Sequence, residues 1–230
     1  IIAEAFGEAC DVLETYDDFE LGVHNLIKEY ASEHERIVFN GNGYSQEWVE
    51  EAARRGLTNI PPMVESIPYL LTDKTVQLFE KFGVFTKTEL ESRAEIKYET
   101  YAKTINIESR AMIDIASKHI IPAVIKYITS LANSINEVKS ACEYVDVSVQ
   151  TELLAESSKL LADTRNALKK LVEVTDEATT IPQGRRQAEF FHEQVIPVMD
   201  SLRTPVDRLE MIVNKEMWPM PSYGDLMFEV

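Results

Sequence analysis

Between Gly83 and Gly184 the chain contains no glycine, and apolar or small residues recur through much of that span at steps of three and four. The run passes through Ala94, Tyr98, Tyr101, Ile105, Met112, Ala116, Ile120, Val124, Ile128, Leu131, Ile135, Val138, Cys142 and Val145. A spacing near 3.5 belongs to a helix packed along its whole length against partners. If unbroken, about 55 residues at 1.5 Å each would span roughly 80 Å. Pro122 falls inside the run and should bend it, because proline lacks a donor and crowds the preceding turn. A second stripe follows at Val149, Leu153, Leu160, Ala167, Leu171 and Val174, ending near Thr180–Gly184. A third uses Ala188, Phe191, Val195, Val198, Leu202, Val206, Leu209 and Ile212, with bends expected at Pro197 and Pro205. Three striped helices with short connections pack most simply as a long antiparallel bundle. The spacing thus predicts a mainly α fold: a bundle over 88–216, a region of short helices over 1–87, and an apolar tail over 217–230 docked on a surface.

The first region reads as helices cut short by turn chemistry. One helix runs from the start to about Glu14. Asp17 with Glu20 suggests a capping box for a second, and Arg36-Ile37-Val38-Phe39 reads as an extended piece. Asn40-Gly41-Asn42-Gly43 is a turn, since Asn and Gly tolerate positive φ. Ser45 caps the next helix, with Tyr44 and Val49 as its staple and Gly56 as its stop. A further helix spans about Thr72 to Phe82 and stops at Gly83, and Thr88 with Glu91 opens the long one. The opening Ile1-Ile2-Ala3-Glu4-Ala5-Phe6 has no methionine and no capping residue, which suggests a start inside a helix of something longer.

Composition narrows the class. A chain of 230 residues, 45% hydrophobic, is long enough to bury a sizeable core. Its net charge of −16 disfavours nucleic-acid and anionic-membrane partners. No apolar run approaches the ~18 residues of a membrane span. Cys10 and Cys142 are too few for a disulfide framework or a cysteine zinc site. A reducing, cytoplasmic setting follows as the expectation.

Candidate chemistry is sparse. A di-iron bundle needs two Glu-x-x-His repeats; Glu189 to His192 is one, and His24, His34 and His119 supply no second. There is no His-Glu-x-x-His and no Gly-x-Ser-x-Gly. Cys142 falls on the apolar stripe, where a small buried thiol is the ordinary role. Gly41-x-Gly43 resembles a phosphate cradle but lacks the third glycine and a Lys-Ser/Thr, and a tight turn accounts for both glycines. Arg54-Arg55 and Arg185-Arg186 read as surface charge mixing, and the many carboxylates as a solvated exterior. The expectation is therefore no catalytic, cofactor-binding or metal residue in these 230 positions.

Specific strings carry more. Arg36-Ile37-Val38-Phe39-Asn40-Gly41-Asn42-Gly43-Tyr44-Ser45 resembles a segment of type III glutamine synthetases. So do Glu91-Ser92-Arg93-Ala94-Glu95-Ile96-Lys97-Tyr98-Glu99 and the ending Met217-Trp218-Pro219-Met220-Pro221-Ser222-Tyr223-Gly224-Asp225-Leu226-Met227-Phe228-Glu229-Val230. The likeness covers essentially the whole chain in order, and Ile1-Ile2-Ala3-Glu4-Ala5 is similar to the helix that follows that enzyme's last arginine-bearing strand. The resemblance implies a C-terminal region of an enzyme that joins ammonia to glutamate using ATP and Mg or Mn. It implies catalytic motifs upstream of Ile1, so residues 1–87 would continue the catalytic domain. It also implies partners within a homo-oligomer of stacked hexameric rings. The alternative reading from the stripes alone is a stand-alone acidic helical-bundle interaction protein.

Overall fold

The computed structural model of the chain describes residues 1–221 and 223–228. The chain is 78% helical, with no strand among the described residues, and no described helix is long and apolar enough to cross a membrane. It divides into two compact units, Ile1–Leu90 and Glu91–Val230.

The first unit holds α1 (Ile2–Leu13), α2 (Phe19–Glu33), α3 (Gln46–Arg54), the single turn α4 (Met63–Ser66) and α5 (Asp73–Lys81). Its helix ends follow side-chain chemistry. Ser45 accepts from the Trp48 N–H and Thr72 from the Thr75 N–H, each at 3.4 Å, satisfying a donor that the first turn leaves orphaned. Gly56 and Gly83 stop α3 and α5 with φ of 68° and 62°, a conformation that costs glycine little. Other expectations shift. The cap of α2 is Asp18, whose side chain accepts from the Leu21 N–H at 3.1 Å, and not Asp17. Arg36-Ile37-Val38-Phe39 is not one extended piece: Glu35–Ile37 form a 3-10 turn and Val38 is extended behind it. Tyr44 makes no staple with Val49, because its ring is fully exposed and Val49 is itself 42% exposed.

The second unit is built on one long helix. Its start lies before the unit boundary: Thr86 and Glu89 form the capping box, Thr86 accepting from the Glu89 N–H at 3.3 Å and the Glu89 carboxylate taking the Thr86 N–H at 2.8 Å. The expected box of Thr88 and Glu91 is displaced by two residues. From Lys87 the helix runs as α6 (Lys87–Ile115), a π turn (Ala116–Ile120) and α7 (Ile121–Ala141), 55 residues in all. The π turn is how Pro122 is tolerated. The Ile121 N–H donates to the Ala116 carbonyl five residues back, which widens the turn where the proline ring needs room. The same device precedes Pro197: α9 (Arg185–Phe190) passes through a π turn (Phe191–Val195) into α10 (Ile196–Glu210).

Between them lies α8 (Ser148–Thr180), packed against both α7 and α10. The pairs run in opposite order along it. Arg110 meets Asp176 at 3.4 Å, while Gln187 donates to the Ala178 and Ile181 carbonyls at 3.1 and 3.0 Å, and Arg208 meets Glu156 at 3.0 Å. Exposed ion pairs of this kind contribute little stability; burial contributes most. Ile120, Val124, Tyr127, Leu209 and Val213 form a buried cluster, with Leu160, Leu161 and Trp218 packed against it. Cys142 is exposed, contrary to the stripe reading, because it caps α7 in extended backbone after the packed part of the helix has ended. Trp218 lies on the core cluster and Lys215 pairs with Asp225 at 2.8 Å, but in α11 (Tyr223–Phe228) Leu226, Met227 and Phe228 are 68–80% exposed. Ser222, Glu229 and Val230, part of the expected docked tail, lie outside the described residues.

Two hydroxyls in this core, Ser157 Oγ and Thr175 Oγ1, are buried without a hydrogen-bond partner. A buried polar group without a partner keeps its desolvation cost. Thr175→Val removes that cost at nearly constant shape and is expected to stabilise the unit by up to about 1 kcal/mol in chemical denaturation. A loss of similar size would show that the hydroxyl is satisfied.

Candidate functional site: the anchored Arg36–Ser45 loop

The most constructed feature of the first unit is the segment leading into α3. Trp48, Glu51 and Arg55 recur at helical spacing on and just after α3. Arg55 turns back and donates through Nη1 to the carbonyls of Val38 at 2.6 Å and Arg36 at 3.2 Å. Its Nε meets Glu51 Oε1 at 2.5 Å, and its guanidinium stands 5.7 Å from the Trp48 ring centroid. The hydrogen bond from Arg55 holds the Glu51 carboxyl below its ordinary range, against a smaller opposing effect of burial, and the charges of Arg54 and Arg55 add to it. The clamp is therefore fully ionised at neutral pH and lost only as pH falls through that lowered value.

The loop is also fixed from within. Phe39 stacks on Trp48 with centroids 4.5 Å apart. The Phe39 ring edge lies 2.7 Å from where a Cβ on Gly41 would stand, so any larger residue there must displace the ring; neither Gly41 nor Gly43 has positive φ. Asn42 Oδ1 accepts from the Tyr44 N–H at 3.0 Å, and Ser45 Oγ donates to the Asn42 carbonyl at 2.8 Å. The Ser45 N–H is also bound to the Asn42 carbonyl at 3.0 Å, so the two amides that follow Gly43 are both engaged within the loop. What the loop does present is Tyr44, fully exposed on an anchored backbone. A rigid backbone with an aromatic tip would lose little entropy if another surface were to cover it.

The remaining sequence candidates disperse. Glu189 is paired with Arg185 at 2.6 Å, whereas His192 faces Tyr101, whose Oη lies 3.2 Å from His192 Nδ1. Burial raises the Tyr101 hydroxyl above its ordinary range, with the Glu108 charge adding to it. Among the described residues no three His, Cys, Asp or Glu side chains gather as metal ligands. Cys10 is exposed, as is Cys142. Arg54 pairs with Glu51 at 2.5 Å. Sequence reasoning missed the role of Arg55, though its helical spacing from Trp48 and Glu51 was the available signal. It also missed the Tyr101–His192 contact, which joins residues 91 apart in sequence.

Comparison with known proteins follows the same order along the chain. The family profile described as the glutamine synthetase C-terminal domain matches residues 22–139. A glutamine synthetase of Butyrivibrio fibrisolvens is 34% identical over 93% of the chain, and the type-3 glutamine synthetase of Dictyostelium discoideum is 33% identical over 89%. A glutamine synthetase of Bacteroides fragilis is 33% identical over 90%. The chain spans only 31%, 28% and 29% of these relatives' own lengths.

Proposed function

Because the chain belongs to the glutamine synthetase family through its C-terminal domain, we propose that it is the helical accessory and assembly region of a type III glutamine synthetase. The observation that carries this reading is the breadth of the match: nearly the whole chain aligns with less than a third of each relative. In this reading the parent ligates ammonia to glutamate in the cytoplasm with ATP and Mg or Mn, and the divalent metals and arginines that act on the transferring phosphoryl group belong to the catalytic domain. The 230 residues are then non-catalytic. Their work is mechanical: a helix of 55 residues is a strut of about 80 Å, and the exposed apolar residues of α11 are available to neighbouring subunits of a homo-oligomer of stacked hexameric rings.

Two measurements on the same material test the proposal. The chain alone should give no γ-glutamyl transfer above a heat-killed control with either metal. The parent shortened by residues 91–230 should assemble with fewer subunits per particle than the intact enzyme, counted as native mass over subunit mass. Turnover by the chain, or an unchanged subunit count, would refute the corresponding half.

A further inference from the structure

The α7–α8 hairpin runs on past the helix that completes the bundle. α10 ends at Glu210, where Arg208 meets Glu156 and Leu209 shares the buried cluster with Tyr127. From that level α7 continues to Ala141 and α8 returns from Ser148, an arm of two helices about 15 Å long at 1.5 Å per residue. Two helices leave their shared seam partly open: from residue 128 to residue 156 only Val147 is buried, while Ile135, Val138, Leu153 and Leu154 are half-buried. The connection at the tip is fixed, because Asp146 accepts from the Ser148 N–H at 2.9 Å and the Val145 N–H donates to the Cys142 carbonyl at 3.3 Å. It holds Tyr144 out at 93% exposure. Glu143 and Asp146 flank that ring, and every charged residue from 140 to 158 is acidic.

The same unit carries a surface of the opposite character. Beside Pro122, the segment 211–219 lies along the long helix and leaves a cleft of about 390 Å³. Pro122, Met217 and Pro219 line it, together with Lys118, His119, Lys126 and one carboxylate, Glu216. Lys118 pairs with Asp114 on its own helix, and Lys126 has no ion pair among the described residues. Trp218, between Met217 and Pro219, packs on the buried cluster and fixes that wall.

We propose that the Tyr144 tip of one copy docks in this cleft of a second copy. The inference rests on the proposed assembly role and names one contact within it. Charge chooses the occupant: an aromatic ring between two carboxylates matches an apolar cleft that carries two lysines. Tip against tip would bring carboxylates together instead. The chain's own tip cannot reach, because Lys126 and Ala141 lie about 22 Å apart on one continuous helix. The contact joins different surfaces of the two copies, so it is head-to-tail and propagates from subunit to subunit until a ring closes.

The test uses the parent enzyme with Cys10→Ser and Glu216→Cys, the native, exposed Cys142 serving as the probe at the tip. A short bis-maleimide is added, and linked peptides are read by mass spectrometry and linked chains on a denaturing gel. The expected result is a link between Cys142 of one copy and position 216 of another, with trimers and longer ladders. Tyr144→Ala or Lys126→Glu, both at exposed positions, should lower its yield about tenfold. A link from Cys142 to Cys142, no link to position 216 in an enzyme that still assembles, or a yield that neither substitution changes would overturn the proposal. Failure of the underlying reading looks different: the upstream reading frame would encode no synthetase catalytic domain.

Discussion

Phe191→Ala is expected to destabilise the Glu91–Val230 unit by about 3–5 kcal/mol in chemical denaturation. Phe191 is 1% exposed and opens the π turn before Pro197, in a segment that packs against α8. Removing its ring forfeits the burial of a large side chain and leaves a cavity between helices. A unit whose other large side chains, among them Leu168, Leu171 and Leu202, are themselves buried does not readily close such a cavity. Phe228→Ala serves as the internal contrast. At 80% exposure its ring contributes little to the fold of the chain, and the change should stay within about 0.5 kcal/mol. If the two substitutions cost the same, the placement of Phe191 in the core is wrong.

The second large effect is at Gly41. A Cβ there would meet two atoms of the Phe39 ring at 2.7 Å, closer than carbon atoms approach one another. Phe39 would have to leave its stack on Trp48, and the clamp made by Arg55 on the Arg36 and Val38 carbonyls would be disturbed with it. Gly41→Ala should therefore cost about 1–3 kcal/mol in the Ile1–Leu90 unit and quench or shift the Trp48 fluorescence. Gly43→Ala, whose Cβ would meet nothing within 4 Å, should leave both nearly unchanged. An equal response at both positions would mean that the loop is not held by the Phe39 ring.

Much of the architecture was legible because it rests on local, repetitive chemistry. The absence of glycine and the three-four spacing after Thr88 identify the 55-residue helix, and Ser45, Gly56, Thr72 and Gly83 mark real helix ends. The misplaced caps have a common cause. Thr86 to Glu89 and Thr88 to Glu91 have the same spacing, and only the backbone decides which pair closes. The π turns were illegible because a proline in a striped run predicts disruption without saying whether the helix bends or widens. From sequence Arg55 reads as surface charge because its partners are the Arg36 and Val38 carbonyls, 19 and 17 residues away, and carbonyls leave no trace in a side-chain pattern. The spacing of Tyr44 predicts a staple, whereas the Asn42 side chain that binds its N–H belongs to a different geometry. The family itself was readable from specific strings, which carry information that periodicity does not.

The central claim is that these residues work as one part of a much larger enzyme. It is tested most directly by the intact mass of the polypeptide that carries the Arg36–Ser45 segment, isolated from its source cells with an antibody against that loop. The expected result is a single chain about three times the 26.2 kDa of this sequence, with peptides of a synthetase catalytic domain preceding α1. A native polypeptide of 26.2 kDa, with no synthetase catalytic domain attached, would contradict it.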